Sequence, residues 1–272
     1  MRPMEQRTIL VTGATDGLGR GLAADLAGRG ATVLVHGRDD ERGRATMAEI
    51  RAGVPGARLH WYRADLSSLD QVRELAAAVA AEHEGLDTLV NNAGIGTTVP
   101  GGEARQESAD GHELRFAVNY LAGFLLTRLL LPVLRAAAPS RIVNVSSLGQ
   151  EPIDFGDVML REGYSGARAY RQSKLAQVMF TVDLAEELEG TGVTANALHP
   201  ATYMPTKMVP VPALSELREG VEATSRLVTD PELDEVSGGF FDGTRPARAM
   251  RQAYDPEARA RLRELSRELT GV

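Results

Sequence analysis

The chain has 272 residues, of which 43% are hydrophobic and 25% are charged, a composition typical of globular proteins and not of disordered ones. Its net charge of −7 is spread along the chain, which argues against a nucleic-acid partner and against a polybasic membrane anchor. The absence of cysteine excludes disulfides, thiolate nucleophiles and cysteine metal sites, and the length suits a single doubly wound or barrel domain.

The chain begins with the features of a phosphate-binding βαβ unit. A short buried strand at 8–11 is followed by the glycine-rich residues 12–19 and then by helical periodicity. Glycines let backbone amides approach an anion, and a helix N-terminus adds partial positive charge. The pattern predicts a nucleotide-binding loop, with a plain tight turn as the alternative. No apolar signal segment precedes the strand, so we expect a cytoplasmic protein.

The second predicted strand, 31–36, closes this unit and runs into Gly37-Arg38-Asp39-Asp40. In dinucleotide sites an acid at the end of this strand binds the adenosine ribose, whereas an arginine accommodates a 2′-phosphate. Gly37 carries no carboxylate and Arg38 follows it, which favours NADP(H) over NAD(H). Asp39 and Asp40 weaken this preference unless they cap the next helix.

Two further strands are predicted at 58–62 and 86–90, with a helix at 68–83 between them. Asp65 precedes that helix, and the sequence NNAG at 91–94 follows the second of these strands. Open α/β sheets bind ligands at the carboxyl ends of their strands, where small residues let a ligand lie against the backbone. The structural alternatives are a helix cap for Asp65 and a left-handed turn residue for Asn92.

A polar loop, 96–111, leads into a long predicted helix, 112–135. Asn119 lies in its apolar part, and a buried amide must be paired, so it organises nearby backbone or water or is merely structural. The apolar run at 120–134 is interrupted by polar residues and is too short for the roughly 20 residues of a spanning helix. We therefore expect no membrane span.

The fifth predicted strand, 141–146, ends at Ser147, which places this serine at the same edge of the sheet as the glycine loop. The connection at 148–166 is longer than a simple loop, and we interpret it as one wall of a substrate pocket. A helix at 164–182 then carries Tyr170 and Lys174.

Tyr170 and Lys174 are four residues apart, so their side chains leave one face of this helix one turn apart. A tyrosine hydroxyl has a pKa near ~10, and a neighbouring ammonium lowers that pKa, which makes the phenol a usable general acid or base. Chance pairing is the alternative. Tyr164 is the comparison, because Arg168 follows it by four and nothing else converges on it.

The sixth predicted strand, 194–198, ends in the sequence HPAT at 199–202, and a seventh strand is predicted at 238–241. The region of about 201–236 between them contains prolines, methionines and an amphipathic helix at 214–227. This is the composition of a lid over an apolar pocket. The alternative is an ordinary surface helix, which has a similar composition.

A charged helix at about 255–270 ends the chain and docks either to the body or to another subunit. The five histidines show no ligand spacing to one another or to a carboxylate cluster, so we expect no metal site.

In their order, the motifs resemble those of short-chain dehydrogenase/reductases over nearly the whole chain, and in particular the retinol dehydrogenase-like branch. They are TGATDGLG at 12–19, Asp65, NNAG at 91–94, Asn119, NVSS at 144–147, YRQSK at 170–174 and HPAT at 199–202. We therefore expect an α/β protein of Rossmann-like fold, with a doubly wound, seven-stranded parallel sheet flanked by helices in a single domain.

The resemblance implies a role for each residue of the site. Tyr170 exchanges a proton with the substrate oxygen, Ser147 hydrogen-bonds that oxygen, and Ser146 is its structural neighbour. Lys174 lowers the pKa of Tyr170 and binds the nicotinamide ribose, and Asn119 positions a water. The implied cofactor contacts are Gly13, Thr15, Asp16, Gly17, Leu18, Gly19, Arg38, Asp65, Leu66, Asn92, Ala93, Gly94, Tyr170, Lys174, Pro200 and Thr202.

The chain departs from the family pattern at two positions. Pro200-Ala201 replaces the usual Pro-Gly, and Asp16 stands where many NADPH-preferring members carry a basic residue. Arg38 and the uncharged Gly37 then decide the cofactor preference.

The resemblance implies an NADP(H)-dependent oxidoreductase that transfers a hydride between nicotinamide and the carbonyl or alcohol carbon of a largely apolar small molecule. It further implies a homodimer or homotetramer. The alternative is a catalytically silent dinucleotide-binding sensor or interaction protein of the same fold.

Overall fold

The computed structural model describes residues 1–97, 104–206, 208 and 212–272. Parts of the loop predicted at 96–111 and of the lid predicted at 201–236 lie outside the described residues. The strands are β1 (Thr8–Val11), β2 (Thr32–Gly37), β3 (Arg58–Arg63), β4 (Thr88–Asn91), β5 (Ser140–Val145), β6 (Val193–His199), β7 (Phe240–Asp242) and β8 (Arg245–Ala247).

These strands form one sheet in the order β3-β2-β1-β4-β5-β6-β7-β8. All pairs from β3 to β7 are parallel, as the sequence predicts, and β8 runs antiparallel to β7. The expected count of seven strands is therefore one short. The eighth strand is only three residues long and contains Pro246, whose missing N–H suits an edge position. Its signal in the sequence is Asp242-Gly243, a dipeptide typical of hairpin turns, and Gly243 has a φ of 57°.

Seven α-helices flank the sheet in the described residues. They are α1 (Gly17–Gly28), α2 (Asp40–Gly53), α3 (Leu69–Glu82), α4 (Ala122–Ala136), α5 (Gly166–Glu187), α6 (Leu217–Thr229) and α7 (Pro256–Thr270). The helices predicted at 68–83, 214–227 and 255–270 agree with α3, α6 and α7 to within three residues at each end. Helix α5 extends five residues beyond the predicted 164–182, and the helix predicted at 112–135 begins before α4.

The core has two layers because successive residues of a strand point to opposite faces of the sheet. On β1, Ile9 and Val11 belong to the layer that α1, α2 and α6 cover, and Leu10 belongs to the layer beneath α3, α4, α5 and α7. Helices on both faces bury the central parallel strands, which explains their largely apolar sequences, whereas the edge strand β3 alternates between exposed and buried residues.

The long central helix starts with a π-helical turn, Phe116–Leu121, and continues as α4. Together they make one helix of 21 residues, Phe116–Ala136, that is long and apolar enough to cross a membrane among the described residues. This helix is therefore longer than the apolar run at 120–134 on which the sequence estimate was based. In the fold, 67% of the most apolar window is buried, and the helix packs against α3, α5 and the sheet.

The helix of the predicted lid region and the C-terminal helix both pack against the rest of the domain. Helix α6 buries Ala223 and Leu227 against α1, so only the residues before it are left as a lid candidate. Helix α7 packs against α5, where Arg259 pairs with Glu186 at 2.6 Å. The C-terminal helix thus docks to its own chain.

Candidate active site

The glycine loop lies between β1 and α1, at the carboxyl edge of the sheet. Gly13 and Gly17 have φ angles of 65° and 46°, which glycine adopts without the steric cost of a side chain. A Cβ atom at Gly19 would lie 2.3 Å from the carbonyl oxygen of Gly13, so no side chain fits there. Asp16 caps α1 by accepting the N–H of Gly17 at 2.8 Å, and its carboxylate also pairs with Arg42 at 2.9 Å. The loop thus presents backbone amides at a helix N-terminus, an arrangement that binds phosphate.

The NNAG segment after β4 is bonded directly to the glycine loop. Nδ2 of Asn92 donates to the carbonyl oxygens of Thr12 at 2.7 Å and Gly13 at 3.3 Å. Oγ1 of Thr12 in turn accepts the backbone N–H groups of Asn92 and Ala93 at 3.0 and 3.1 Å. The amide of Asn92 therefore holds the shape of the loop, and its predicted contact with a cofactor stays a prediction.

His36, which the sequence interpretation did not single out, supports the loop from β2. Its Nδ1 accepts the N–H of Gly13 at 3.1 Å, and its Nε2 lies 3.2 Å from the carbonyl oxygen of Ala64. Burial lowers the pKa of His36 to about 4, so the ring is neutral at physiological pH. The neutral ring can accept at one nitrogen and donate at the other, as both contacts require.

The end of β2 leaves no room for a side chain at Gly37. A Cβ atom there would lie 2.8 Å from Cγ2 of Thr15 and 3.0 Å from the indole ring of Trp61. In many dinucleotide sites this position carries an acid that binds the adenosine ribose. Here its neighbours restrict it to glycine.

The two acids that follow are both engaged within the protein. Asp39 caps α2 and accepts the backbone N–H of Arg42 at 3.0 Å, a hydrogen bond that lowers the pKa of its carboxyl. Asp40 accepts Nε1–H of Trp61 at 2.8 Å. Arg38 is exposed and forms no salt bridge with any residue that the structure describes. A free guanidinium therefore lies where the sequence predicts the 2′-phosphate.

Of the other predicted cofactor contacts, Asp65 and Thr202 form hydrogen bonds within the protein, and Leu66 is buried. Oδ1 of Asp65 accepts both the N–H and the hydroxyl of Ser67, at 2.9 and 2.8 Å, and Leu66 next to it is buried. After β6, Nε2 of His199 lies 3.0 Å from Oγ1 of Thr202. Ser68, not Asp65, is the N-cap of α3, so the predicted alternative of a helix cap at Asp65 is wrong, and its predicted contact with a cofactor stays a prediction.

Ser147 and Tyr170 come together at the carboxyl edge, from the end of β5 and from α5. Oγ of Ser147 accepts the N–H of Gly149 at 3.0 Å, so its own hydrogen remains to donate to the hydroxyl of Tyr170. Burial raises the pKa of Tyr170, and a hydrogen bond from Ser147 opposes this by lowering it. The adjacent Ser146 instead donates to the carbonyl oxygen of Lys174 at 2.7 Å, the structural role expected of it.

Lys174 lies one turn beyond Tyr170 but is turned toward the sheet. Its Nζ donates to the carbonyl oxygen of Val145 at 2.8 Å and to Oε1 of Gln177 at 2.9 Å. The same nitrogen is 5.7 Å from the centroid of the Tyr170 ring. Burial lowers the pKa of Lys174 to about 7. The expected lowering of the Tyr170 pKa by Lys174 is therefore not found, because desolvation dominates at both groups.

Asn119 lies in the π-helical turn, a feature common at functional sites. Its Oδ1 accepts the N–H of Ile95 at 2.7 Å, and its Nδ2 donates to the carbonyl oxygen of Ile95 at 3.1 Å and to Oγ of Ser173 at 2.9 Å. Ser173 in turn donates to the carbonyl oxygen of Tyr170 at 2.7 Å. The side chain of Asn119 thus positions α5 and the segment after Gly94, and the expected water contact stays a prediction.

Gly94 is where the two halves of the site meet. A Cβ atom at this residue would lie 3.3 Å from Oδ1 of Asn119 and 3.6 Å from Nζ of Lys174. Since Asn92 is bonded to the glycine loop, the NNAG segment joins the phosphate-binding end to the tyrosine and lysine.

Tyr164 corrects one sequence inference. It precedes α5, whose N-cap is Ser165, and two charged side chains converge at its hydroxyl. Arg115 donates to that hydroxyl at 2.6 Å, and the hydroxyl donates to Glu113 at 3.2 Å. Because Arg115 and Glu113 are buried, this cluster anchors the start of α5. The expectation that no other group converges on Tyr164 is therefore wrong.

The long connection at 148–166 is tied to the body near its middle. Ile153 is buried in the core, and its N–H bonds Oε1 of Gln252 at 2.7 Å. Leu148, next to Ser147, is 48% exposed. The predicted pocket wall is thus an anchored segment with an apolar side chain at the mouth of the site.

Sequence reasoning missed His36, Gly149 and Gln177. Gln177 could have been found from its spacing, because residues three apart on a helix are neighbours and Lys174 is three residues before it. His36 and Gly149 carry no such local signal.

Comparison with known proteins gives a consistent picture. Residues 7–212 match the family model described as short chain dehydrogenase. Human retinol dehydrogenase 13 is 37% identical over 286 residues, which cover 98% of this chain and 85% of that protein.

Two solved structures share the fold. A blue fluorescent protein from a metagenomic library, in complex with NADPH, has a TM-score of 0.71 and 26% identity, and the match covers 89% of this chain and 99% of that one. The Pseudomonas aeruginosa RhlG/NADP active-site complex has a TM-score of 0.70 and 26% identity, with 89% and 97% covered.

Proposed function

The chain belongs to the short-chain dehydrogenase family, with retinol dehydrogenase-like relatives, and is an oxidoreductase that acts on CH–OH donors; from this premise we propose its cofactor, its acid–base residue and its substrate class. The proposed cofactor is NADP(H), the general acid and base is Tyr170, and the substrate is a largely apolar small molecule with an alcohol or carbonyl group. The observation that carries the proposal is the meeting of Ser147, Tyr170 and Lys174 beside Gly94.

The residues at the carboxyl edge fit a dinucleotide. A Cβ atom at Gly19 would clash with the backbone of Gly13, so only glycine fits there, and the absence of a side chain lets a pyrophosphate approach the start of α1. Gly94 leaves the corresponding opening beside Lys174 for the nicotinamide end. A bound nicotinamide supplies or accepts the hydride.

The preference for NADP(H) rests on charge at the end of β2. Arg38 is exposed and unpaired among the described residues, whereas Asp39 and Asp40 are held by Arg42 and Trp61. A guanidinium binds a phosphate with strong, charge-assisted hydrogen bonds. The two structural neighbours that contain NADP or NADPH support the same choice.

The proton step is assigned to Tyr170 and Ser147. Ser147 accepts the N–H of Gly149 and can donate its own hydrogen to a substrate oxygen, which would hold that oxygen beside the phenol. In reduction, Tyr170 gives its proton to the oxygen as the carbonyl becomes an alcohol. Since burial raises the pKa of Tyr170, the phenol is protonated at neutral pH, which is the form that reduction requires.

The apolar substrate is supported by the side chains around the site. Four large hydrophobic side chains are exposed among the described residues, and three of them lie near the carboxyl edge: Leu148, Tyr203 and Leu214, which are 48%, 51% and 71% exposed. Tyr203 and Leu214 are adjacent, since the Leu214 N–H bonds the Tyr203 carbonyl at 3.1 Å. Exposed apolar groups that cluster beside a polar site favour an apolar ligand.

The test is turnover of NADPH with a panel of apolar aldehydes and ketones that includes retinaldehyde, in wild type and Tyr170→Phe. We expect the variant to lose roughly 10²- to 10⁴-fold in rate while it binds NADPH as wild type does in calorimetry. Tyr254→Phe, which removes a hydroxyl that accepts the N–H of Ala249, is the matched control, and it should retain the rate. Full activity in Tyr170→Phe would remove its proton role, and binding of NADPH without any turnover in wild type would favour the silent sensor.

A further inference from the structure

A second group of polar side chains lies away from the carboxyl edge of the sheet. His60 is on β3, Glu82 is the last residue of α3, and His83 is its C-cap. One donor atom from each of the three lies within 4.8 Å of the others, and the two imidazole rings are 5.5 Å apart between centroids. The spacing of the histidines in the sequence gave no indication of this group, because the fold brings His60 to residues that are distant from it in sequence. Since α3 leads into β4, its end faces the amino edge of the sheet, opposite Ser147.

We propose that His60, Glu82 and His83 bind a divalent transition metal ion of the zinc class. Imidazole nitrogen and carboxylate oxygen are the ligands that such ions take, at about 2.0 to 2.2 Å. A tetrahedral ion places its ligands roughly 3.3 Å apart at those bond lengths. Side-chain rotations that move the donor atoms by about an ångström bring the three within that distance. Three protein ligands leave a further position for water.

The electrostatics at the end of α3 favour a cation. The last carbonyl groups of a helix carry partial negative charge, and Glu82 adds a full one.

Tyr62 provides the supporting contacts that metal sites need. The side chain of Tyr62 is buried, and its hydroxyl donates to Oε2 of Glu82 at 2.7 Å. The hydroxyl oxygen of Tyr62 also lies 2.9 Å from Nε2 of His83. A carboxylate has two oxygens and an imidazole two nitrogens, so both side chains can ligate an ion and still contact Tyr62. Such outer contacts orient the ligands and strengthen binding.

The bound ion would join α3 to the edge strand β3. The three ligands come together only in the folded chain, so the ion binds the native state preferentially and raises the melting temperature. The site is separate from the proposed catalytic residues, and the proposal is independent of the assigned reaction.

The experiment is calorimetric titration of the chelator-treated full chain with zinc chloride. We expect one equivalent to bind to wild type, at least roughly tenfold weaker binding to His60→Ala and His83→Ala, and about 10- to 100-fold weaker binding to Tyr62→Phe. His112→Ala removes a histidine elsewhere and should bind as wild type does. A zinc-dependent rise in melting temperature should be present in wild type and absent in His60→Ala.

Cobalt(II) added in place of zinc should give the intense visible absorption of a four-coordinate ion. The absence of stoichiometric zinc binding would overturn the proposal. Zinc binding that persists unchanged in both His60→Ala and His83→Ala would also overturn it, because the ion would then lie elsewhere. His60 is exposed, so its substitution leaves the core intact.

Discussion

On α5, the side-chain nitrogen of Lys174 donates a hydrogen bond of 2.9 Å to Oε1 of Gln177, three positions further along the helix. A second bond, to the carbonyl oxygen of Val145 at 2.8 Å, fixes the same nitrogen. Both side chains are buried, and burial lowers the pKa of Lys174 to about 7. The lysine is thus positioned by the protein, and a neutral acceptor that favours the ammonium is in direct contact with it.

Gln177→Leu should therefore move the pH dependence of the reaction. Loss of the acceptor destabilises the ammonium and lowers the pKa of Lys174 further, so the alkaline limb of the rate profile should shift to lower pH by roughly one unit, since a hydrogen bond to a charged group is worth ~1.5 kcal/mol or more. Gln177→Glu should shift that limb to higher pH.

The matched control for this prediction is Gln172→Leu, which removes a buried amide of the same helix that bonds Pro152. It should reduce stability without moving the profile. Identical profiles for wild type and both Gln177 variants would show that the contact has no bearing on the lysine.

Arg38→Ala should weaken NADPH binding and leave NADH binding unchanged. The loss of charge-assisted bonds to a 2′-phosphate predicts a decrease in NADPH affinity on the order of 10- to 100-fold. The measurement is the dissociation constant of each cofactor by calorimetry or fluorescence. The control is Arg44→Ala, which removes an exposed arginine that lies on α2. An equal loss of affinity for both cofactors in Arg38→Ala would contradict the assignment.

His36 should make the protein less stable in mild acid. Its pKa is about 4 in the folded protein, below the 6.5 of an exposed histidine, so its neutral form stabilises the fold above pH 6.5. As the pH falls toward 4, the unfolded chain gains a proton that the folded chain does not, and that stability is lost, by roughly 2 kcal/mol at pH 5.

Urea unfolding of wild type and His36→Gln at pH 7 and pH 5 measures this contribution as a difference of differences. The variant should lose less stability than wild type between the two values, and His112→Ala should lose as much as wild type. An equal loss in wild type and His36→Gln would rule out the buried neutral histidine.

Gly149→Ala should reduce turnover without unfolding the protein. A Cβ atom at this residue would lie 3.4 Å from Oγ of Ser147 and 3.9 Å from Cε1 of Tyr170, which are ordinary contact distances. The methyl group fits, but it covers the two hydroxyl-bearing side chains, and we expect kcat/KM to fall on the order of tenfold. Steady-state kinetics and a melting curve separate the two effects. Gly53→Ala, at a position with no neighbouring atom within 4 Å, is the control.

The sequence by itself determined the frame of this protein. The parallel strands, the glycine loop, Ser147, Tyr170 and Lys174 were predictable, because each depends on local periodicity or on a short motif. Parallel strands deliver their carboxyl ends to one edge, so the order of the motifs already implied a common site.

Only the tertiary structure decided how those groups are tuned. Burial raises the pKa of Tyr170, whereas the sequence predicted a lowering by Lys174, since desolvation depends on everything packed around a group and not on its helical neighbour alone. The bond from Gly13 to His36, the cluster of Arg115 with Tyr164, and the meeting of His60 with His83 join residues that are 23 to 49 positions apart, for which no sequence period exists. Such contacts are set by how strands and helices pack, and the charges and hydrogen bonds of the site follow from that packing.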